Sequence, residues 1–243
     1  MLTYFIADLH LTKERSDITE CFLRFIEQQA PLAERLYILG DFFEYWIGDD
    51  DDNPFVLTIA DQLKQLSDKG TEIFFIQGNR DFLLGKKFAD RASMTLLPDS
   101  QVIDIYGQRA LIMHGDTLCT RDVEYQKFRK KSRSWWWQWI VKALPLSTRR
   151  KMAEDYRKKA DSQGPMTNND IMDVSQDEVV AQMRASDVQL LIHGHTHRPN
   201  VHTFELDGKQ ATRIVLGDWY EQGAWLKFDE HGFELLNEPL ITP

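Results

Sequence analysis

Five short apolar runs, each followed at once by acidic, amide or imidazole residues, constrain this chain more than any other feature. They cover residues 2–7, 35–39, 72–76, 109–113 and 188–192. Each is too short for a helix of ordinary length and reads as a buried strand. Helical patterns separate the first three. Ile18, Cys21, Phe22, Phe25 and Ile26 share one helical face over residues 18–26, and Phe55, Ile59, Leu63 and Leu66 share another over residues 55–66. Residues 102–106 and 109–113 read as a strand pair turning at Gly107-Gln108. Strands alternating with helices predict an α/β fold. In such a sheet the carboxyl ends of the strands converge on one edge, where ligands bind. The polar clusters are therefore expected to meet.

The 243 residues are 42% hydrophobic and 28% charged, which excludes disordered and fibrous classes. A core of this length buries about 70–75% of the unfolded surface, enough for one large domain with a small insert. No stretch approaches the roughly 18 apolar residues needed to span a bilayer. The segment from Met1 to Asp8 lacks the basic lead and cleavage site of a signal peptide. Cys21 and Cys119 alone make no disulfide framework, so a reduced, cytoplasmic protein is expected.

The net charge of −9 argues against a nucleic-acid partner and, taken alone, against an anionic membrane. It conceals a division. Residues 121–160 hold 13 Lys/Arg against 4 Asp/Glu, a charge of +9, which leaves −18 on the other 203 residues. The same segment holds Trp135, Trp136, Trp137 and Trp139, four of seven tryptophans. Its pattern is helical, divided by Pro145. Residues 162–169 read as a loop, and Ser175 opens another helix with Glu178 completing a capping box. Strands are expected at 201–206, 213–216 and 224–228, with turns at Asp207-Gly208 and His231-Gly232. The predicted organisation is a core of residues 1–120 and 161–243, with residues 121–160 as an inserted helical lid.

The five polar clusters are Asp8-Leu9-His10, Gly40-Asp41, Gly78-Asn79-Arg80-Asp81, His114-Gly115-Asp116 and Gly194-His195-Thr196-His197. Carboxylates, imidazoles and one amide, without paired cysteines, suit Mn²⁺, Mg²⁺, Fe²⁺ or Zn²⁺ rather than a zinc–thiolate site. They are too many for one ion. Two ions about 3.5–4 Å apart, sharing a carboxylate, would use them.

The ordered pattern D-x-H, G-D, G-N-x-D, H-G, G-H-x-H, running from Asp8 to His197, resembles the calcineurin-like metallophosphoesterase superfamily. The resemblance implies a β-sandwich flanked by helices and a dinuclear metal centre. Carried over residue by residue, Asp8, His10 and His197 would hold the first metal. Asn79, His114 and His195 would hold the second, and Asp41 would bridge them. Many members carry histidine after the asparagine. Here it is Arg80, which cannot act as a general acid near neutral pH but clamps phosphate oxygens well. A pyrophosphate bond has less need of a proton donor, because the phosphate released is already a good leaving group.

Longer runs, among them Trp46-Ile47-Gly48-Asp49-Asp50 and Gly78-Asn79-Arg80-Asp81-Phe82-Leu83-Leu84-Gly85, are similar to the UDP-2,3-diacylglucosamine hydrolase family of lipid A biosynthesis. That similarity implies hydrolysis of the substrate's pyrophosphate, usually with two Mn²⁺ and a metal-activated water attacking the α-phosphorus. The products would be UMP and 2,3-diacylglucosamine 1-phosphate. Asn79, Arg80 and His195 would be catalytic, and these three with Asp122 would contact substrate. Further family contacts fall here on Ala160 and Gly164, whose roles are not carried over, and on Thr167, whose role stays open. The alternative is a metallophosphoesterase for a soluble nucleotide or phosphoprotein, which would not need an amphipathic insert.

Four tryptophans within five positions cannot share one helix face, because each position advances about 100°. Trp favours the membrane interface and Lys/Arg favour anionic headgroups. The insert is therefore expected to admit acyl chains and to dock peripherally on the cytoplasmic face of the inner membrane. The acidic run 49–52 lacks the spacing of a calcium loop and reads as a solvated loop. Cys119 reads as a packed thiol, and His193 as structural or a support to the ligands.

Overall fold

The computed structural model describes residues 1–162 and 173–240. In chain order the strands are β1 (Leu2–Ile6), β2 (Arg35–Leu39), β3 (Glu72–Ile76), β4 (Met94–Leu96), β5 (Ser100–Ile105), β6 (Gln108–Met113), β7 (Leu190–His193), β8 (Asn200–Leu206), β9 (Lys209–Val215), β10 (Gln222–Asp229) and β11 (Gly232–Pro239). The helices are α1 (Ser16–Gln28), α2 (Pro54–Asp68), α3 (Lys86–Arg91), α4 (Val123–Ser132), α5 (Trp135–Lys142), α6 (Leu146–Ser162) and α7 (Gln176–Ala185).

Two sheets form, with strand orders β11-β10-β1-β2-β3-β4 and β5-β6-β7-β9-β8. Side chains alternate across a strand, and the central strands are apolar on both faces. From β1 and β2, Phe5, Tyr37 and Leu39 enter the core between the sheets, where they meet Ile112, Ile192 and Ile214 of the second sheet. Tyr4, Ile6, Leu36 and Ile38 face the other way, onto the apolar faces of α1 and α2. In the second sheet Leu191 faces outward onto Val179 and Met183 of α7. This is an α/β fold built as a sandwich with helices outside both sheets. It needs runs that are continuously apolar, which is why the short strands were legible in the sequence.

β1, β2 and β3 are parallel, as are β6 and β7, so five carboxyl ends emerge toward one edge. Where strands end, two loops touch. Gly40 has φ +87°, and a Cβ there would stand 2.6 Å from the Gly78 Cα. Only glycine fits that backbone and that approach.

Several local expectations shift. The first hairpin turns at Tyr106-Gly107, both at positive φ, with Gln108 already paired to Ile105. The last turns at Glu230-His231, with Gly232 paired to Asp229. Asp207-Gly208 turns as expected, both residues at positive φ. The basic segment breaks at Arg133-Ser134 as well as before Leu146, giving three helices. Ser175 stands at the N-cap of α7 without a side-chain cap, and Glu178 instead accepts from Gln182, so no capping box forms. Ser162 is the last residue of α6, and the remainder of the expected loop at 162–169 lies outside the described residues.

The acidic run is not a solvated loop. Asp49 accepts the amides of Gly85, Lys87 and Phe88 and so caps α3, while Asp50 pairs with Arg149 and Asp51 with Arg150. Among the described residues, no helix is long and apolar enough to cross a membrane.

Candidate metal centre

The loops at the strand ends carry Asp8, His10, Asp41, Asn79, His114, His195 and His197, and the fold brings all seven together. His10 Nε2 lies 3.5 Å from His197 Nε2, and His197 Nε2 lies 3.5 Å from Asp8 Oδ1. On the other side, His114 Nε2 lies 2.8 Å from Asn79 Oδ1, and the His114 and His195 rings are 5.0 Å apart. Asp41 sits between the two groups. Its Oδ2 is 3.9 Å from His10 Nε2 and its Oδ1 is 3.7 Å from His114 Nε2. Two sets of donor atoms, Asp8-His10-His197 and Asp8-Asp41-His114, are each close enough to surround one ion.

The donor set fits hard or borderline divalent cations. Asp8 Oδ1 is buried with no hydrogen-bond partner among the described residues, although a buried carboxylate oxygen is costly to leave unsatisfied. A cation would satisfy it. The backbone at these residues is unusual as well. Asp8, His10, Asp41, His195 and His197 all have φ between 50° and 71°, in the left-handed region that non-glycine residues avoid. Strain of this kind, gathered at one place, marks a functional site.

Three imidazoles are held from behind. The His10 Nδ1 faces Glu44 Oε2 at 3.2 Å, His114 Nδ1 donates to the Leu39 carbonyl at 2.8 Å, and His197 Nδ1 faces Asp218 Oδ2 at 3.5 Å. Each arrangement turns Nε2 toward the centre. Tyr220 stacks on His10 with centroids 5.0 Å apart. Asp81 is fully buried, accepts the amides of Phe42 and Gly78 at 2.7 Å each, and ties the loops of Asp41 and Asn79 together.

Electrostatics separates the histidines. Burial opposes charge on His197, but Asp8 and Asp218 outweigh it and raise its pKa to about 9. Burial and the nearby His114 push His195 down to about 4, so it is neutral at pH 7. Burial also pushes His193 down to about 3, against its hydrogen bond to the Gly194 carbonyl, in keeping with a structural role. Burial opposes ionisation of Asp8, yet His197 and its neighbours hold its carboxyl below the ordinary range. Burial and Asp41 raise Asp81 to about 6. Burial lifts the Cys119 thiol to about 12, so it is a packed, unreactive group.

Arg80 stands at the rim. Its amide donates to Asp41 Oδ1 at 2.8 Å and its guanidinium lies 3.6 Å from Glu44 Oε1. Asn79 and Arg80 also line a cleft whose apolar walls include Trp46, Phe82, Phe128, Trp137 and Met152. Asp122 lies at the N-cap of α4, where it accepts the Tyr125 amide at 2.9 Å. Gly164, Thr167 and the side chain of Ala160 lie outside the described residues. The supports Glu44, Asp218 and Tyr220 were not foreseen. Asp81 and Asp116 carried a signal, being acids inside the recurring clusters.

Residues 1–199 match the family model of the calcineurin-like phosphoesterases. A UDP-2,3-diacylglucosamine hydrolase of Vibrio parahaemolyticus is 52% identical over the whole of both chains. One from Pseudomonas aeruginosa is 51% identical, over 99% of this chain and 100% of its own. Among solved structures, an archaeal phosphodiesterase aligns with a TM-score of 0.49 at 13% identity, over 98% of this chain and 99% of that one. The chain belongs to the calcineurin-like phosphoesterases and, within them, to the family of the UDP-2,3-diacylglucosamine hydrolases.

Proposed function

We propose that the chain hydrolyses the pyrophosphate of UDP-2,3-diacylglucosamine at a two-ion centre. The carrying observation is the junction of two surfaces. The cluster of seven donors and the apolar cleft share Asn79, and Arg80, whose amide donates to Asp41, lines the cleft beside it, so a phosphate at the donors would place an attached acyl group in the cleft. Full-length identity of about half to hydrolases of that substrate supports the same reading.

Asp8, His10 and His197 would hold one ion, Asn79, His114 and His195 the other, and Asp41 would bridge. Mn²⁺ suits these donors, as do Mg²⁺, Fe²⁺ and Zn²⁺. When bound, the two ions would lower the pKa of a water and neutralise phosphate charge. The chain's own groups do the rest. Arg80, permanently charged, would clamp phosphate oxygens, aimed by Glu44. Asn79 would orient its ion and the phosphate. His195, neutral at pH 7, would serve as ligand and phosphate contact rather than proton donor. Asp122, whose Oδ1 caps α4, would contact substrate through its other oxygen.

Residues 121–160 would act as a lid on the core formed by residues 1–120 and 161–243. Trp137 packs on Phe82 at 5.9 Å across the cleft, while Trp135 and Trp139 are 81% and 70% exposed. Those outer tryptophans, with Lys130, Lys131 and Lys142 exposed among them, would rest the chain on the cytoplasmic face of an inner membrane, where its lipid substrate resides.

Hydrolysis in ¹⁸O water tests the chemistry. Label is expected in UMP, as attack at the α-phosphorus requires. Label in the lipid phosphate would move the attack to the other phosphorus. Turnover of soluble phosphodiesters without turnover of the lipid substrate would favour a soluble-nucleotide enzyme.

A further inference from the structure

Helix α4 carries Tyr125 and Arg129, and Arg133 follows at its C-cap. Residues four apart lie on one helix face, so these three form a single stripe. That stripe touches three loops of the core, and each loop bears one of Asn79, His114 and His195.

Arg133 reaches the first loop. Its Nη2 donates to the carbonyls of Gln77 at 3.3 Å and Gly78 at 2.9 Å, the two residues before Asn79, and its Nη1 donates to the Gln77 side chain at 3.0 Å. Arg129 and Tyr125 reach the second. Arg129 Nε and the Tyr125 hydroxyl both donate to Asp116 Oδ2, at 2.7 and 2.6 Å, two residues beyond His114. Tyr125 also reaches the third, its ring stacked near that of His195 at 6.2 Å. Asp99 joins the two arginines, accepting from Arg129 at 2.7 Å and from Arg133 at 3.0 Å. Asp116 is 2% exposed and its carboxyl, despite burial, is held below the ordinary range by His114 and Arg129.

The other half of the centre is built differently. Among the described residues, the hydrogen bonds, ion pairs and ring contacts of Asp8, His10 and His197 come from the core alone, chiefly from Glu44, Asp41, Asp218 and Tyr220. Among the described residues, one trio of donors is backed by the insert, and the other meets that trio through the His195 amide, which donates to Asp8 Oδ2 at 2.7 Å.

We infer that the stripe of Tyr125, Arg129 and Arg133 is a strut that positions Asn79, His114 and His195, so that the seating of α4 sets the affinity of one ion and leaves the other unchanged. The three are positioning residues and touch neither ion. The inference rests on the two-ion reading given above. It also gives the insert a role in assembling the centre that is separate from receiving acyl chains.

Mn²⁺ binding to the full chain, by equilibrium dialysis and electron paramagnetic resonance, tests it without any substrate. The wild type is expected to take up two ions with a spin-coupled signal. Arg133→Ala should keep one ion at wild-type affinity and weaken the second by roughly 10–100-fold, the usual effect of losing an outer support. Its spectrum should become that of isolated Mn²⁺. Asp99→Ala removes the exposed link between the arginines and should move the second ion in the same direction by a smaller factor. It decides the matter if Arg133→Ala does not fold. Arg150→Ala, which removes an insert arginine paired with Asp51 instead, should leave both ions unchanged. The strut is overturned if both test variants bind two ions at wild-type affinity, or weaken both ions equally. A wild type that takes up fewer than two ions overturns the two-ion reading itself, and the strut with it.

Discussion

Asp81 divides its two oxygens between the amides of Phe42 and Gly78, which adjoin Asp41 and Asn79. Asparagine would offer one acceptor and oppose the second amide with an N–H. Asp81→Asn should therefore cost roughly 1–3 kcal/mol of stability and lower Mn²⁺ uptake, read by thermal melting and metal titration. An unchanged melting curve would remove Asp81 as a clamp. His197 gives a second test, through pH. Its pKa rises from 6.5 to about 9 on folding. A histidine shifted upward contributes stability that is fully present below its unfolded pKa and is lost as pH rises through the folded one. His195 and His193 are shifted downward from 6.5 and act only as pH falls below that value. The metal-free chain should thus lose about 1–3 kcal/mol between pH 6.5 and 9, allowing for solvent screening. Saturating Mn²⁺ should remove this loss, because a ligand imidazole must be deprotonated. Melting temperatures that stay level across this window without metal would contradict the assignment. The seven candidate ligands could be read from the sequence because each follows its strand directly. Glu44 and Asp218 could not, since they reach His10 and His197 from loops with no such marker.

Helix α3 is six residues long and leans on a single carboxylate. Asp49 accepts from Gly85, Lys87 and Phe88 at 2.8, 3.0 and 3.3 Å, and from the Trp46 indole at 3.1 Å. A carboxylate at a helix N-terminus satisfies orphan amides and complements the dipole. Asp49→Ala should cost about 1–2 kcal/mol and shift Trp46 fluorescence, whereas exposed Asp52→Ala should stay within about 0.5 kcal/mol. Equal effects from the two would return the acidic run to the role of a plain solvated loop. That reading failed because the cap spans 36 residues of sequence and leaves no local trace. The short buried strands and the amphipathic helices were legible because β1, β2 and β7 are apolar on both faces and α1 on one. The three-residue β4 has no periodicity to read. The first hairpin turn lies one position earlier than Gly107-Gln108 because Tyr106 adopts a left-handed conformation beside Gly107 and Gln108 already pairs with Ile105.

At the scale of the molecule, the division of charge takes a more specific form. The surplus of nine positive charges on residues 121–160 is partly spent inward: Arg129 and Arg133 pair with Asp99, Arg129 with Asp116, and Arg149 with Asp50. These arginines tie residues 121–160 to the acidic remainder of the chain, while Lys130, Lys131 and Lys142 stay exposed, as do Trp135, Trp136 and Trp139. Bidentate, partly buried pairing suits arginine, and a hydrated surface charge suits lysine. Such a surface should bind vesicles containing anionic lipid, less well as salt rises. Half-insertion of one indole system of 150–250 Å², at about 25 cal/mol per Å², is worth about 2 kcal/mol. Replacing Trp135 and Trp139 together with glutamine should then weaken vesicle partitioning more than tenfold. Neither side chain lines the cleft, so hydrolysis of a soluble phosphodiester should be unaffected by the double variant, while turnover of lipid substrate presented in vesicles should fall. Equal losses on both substrates would place the tryptophans in the fold of the insert rather than at a membrane.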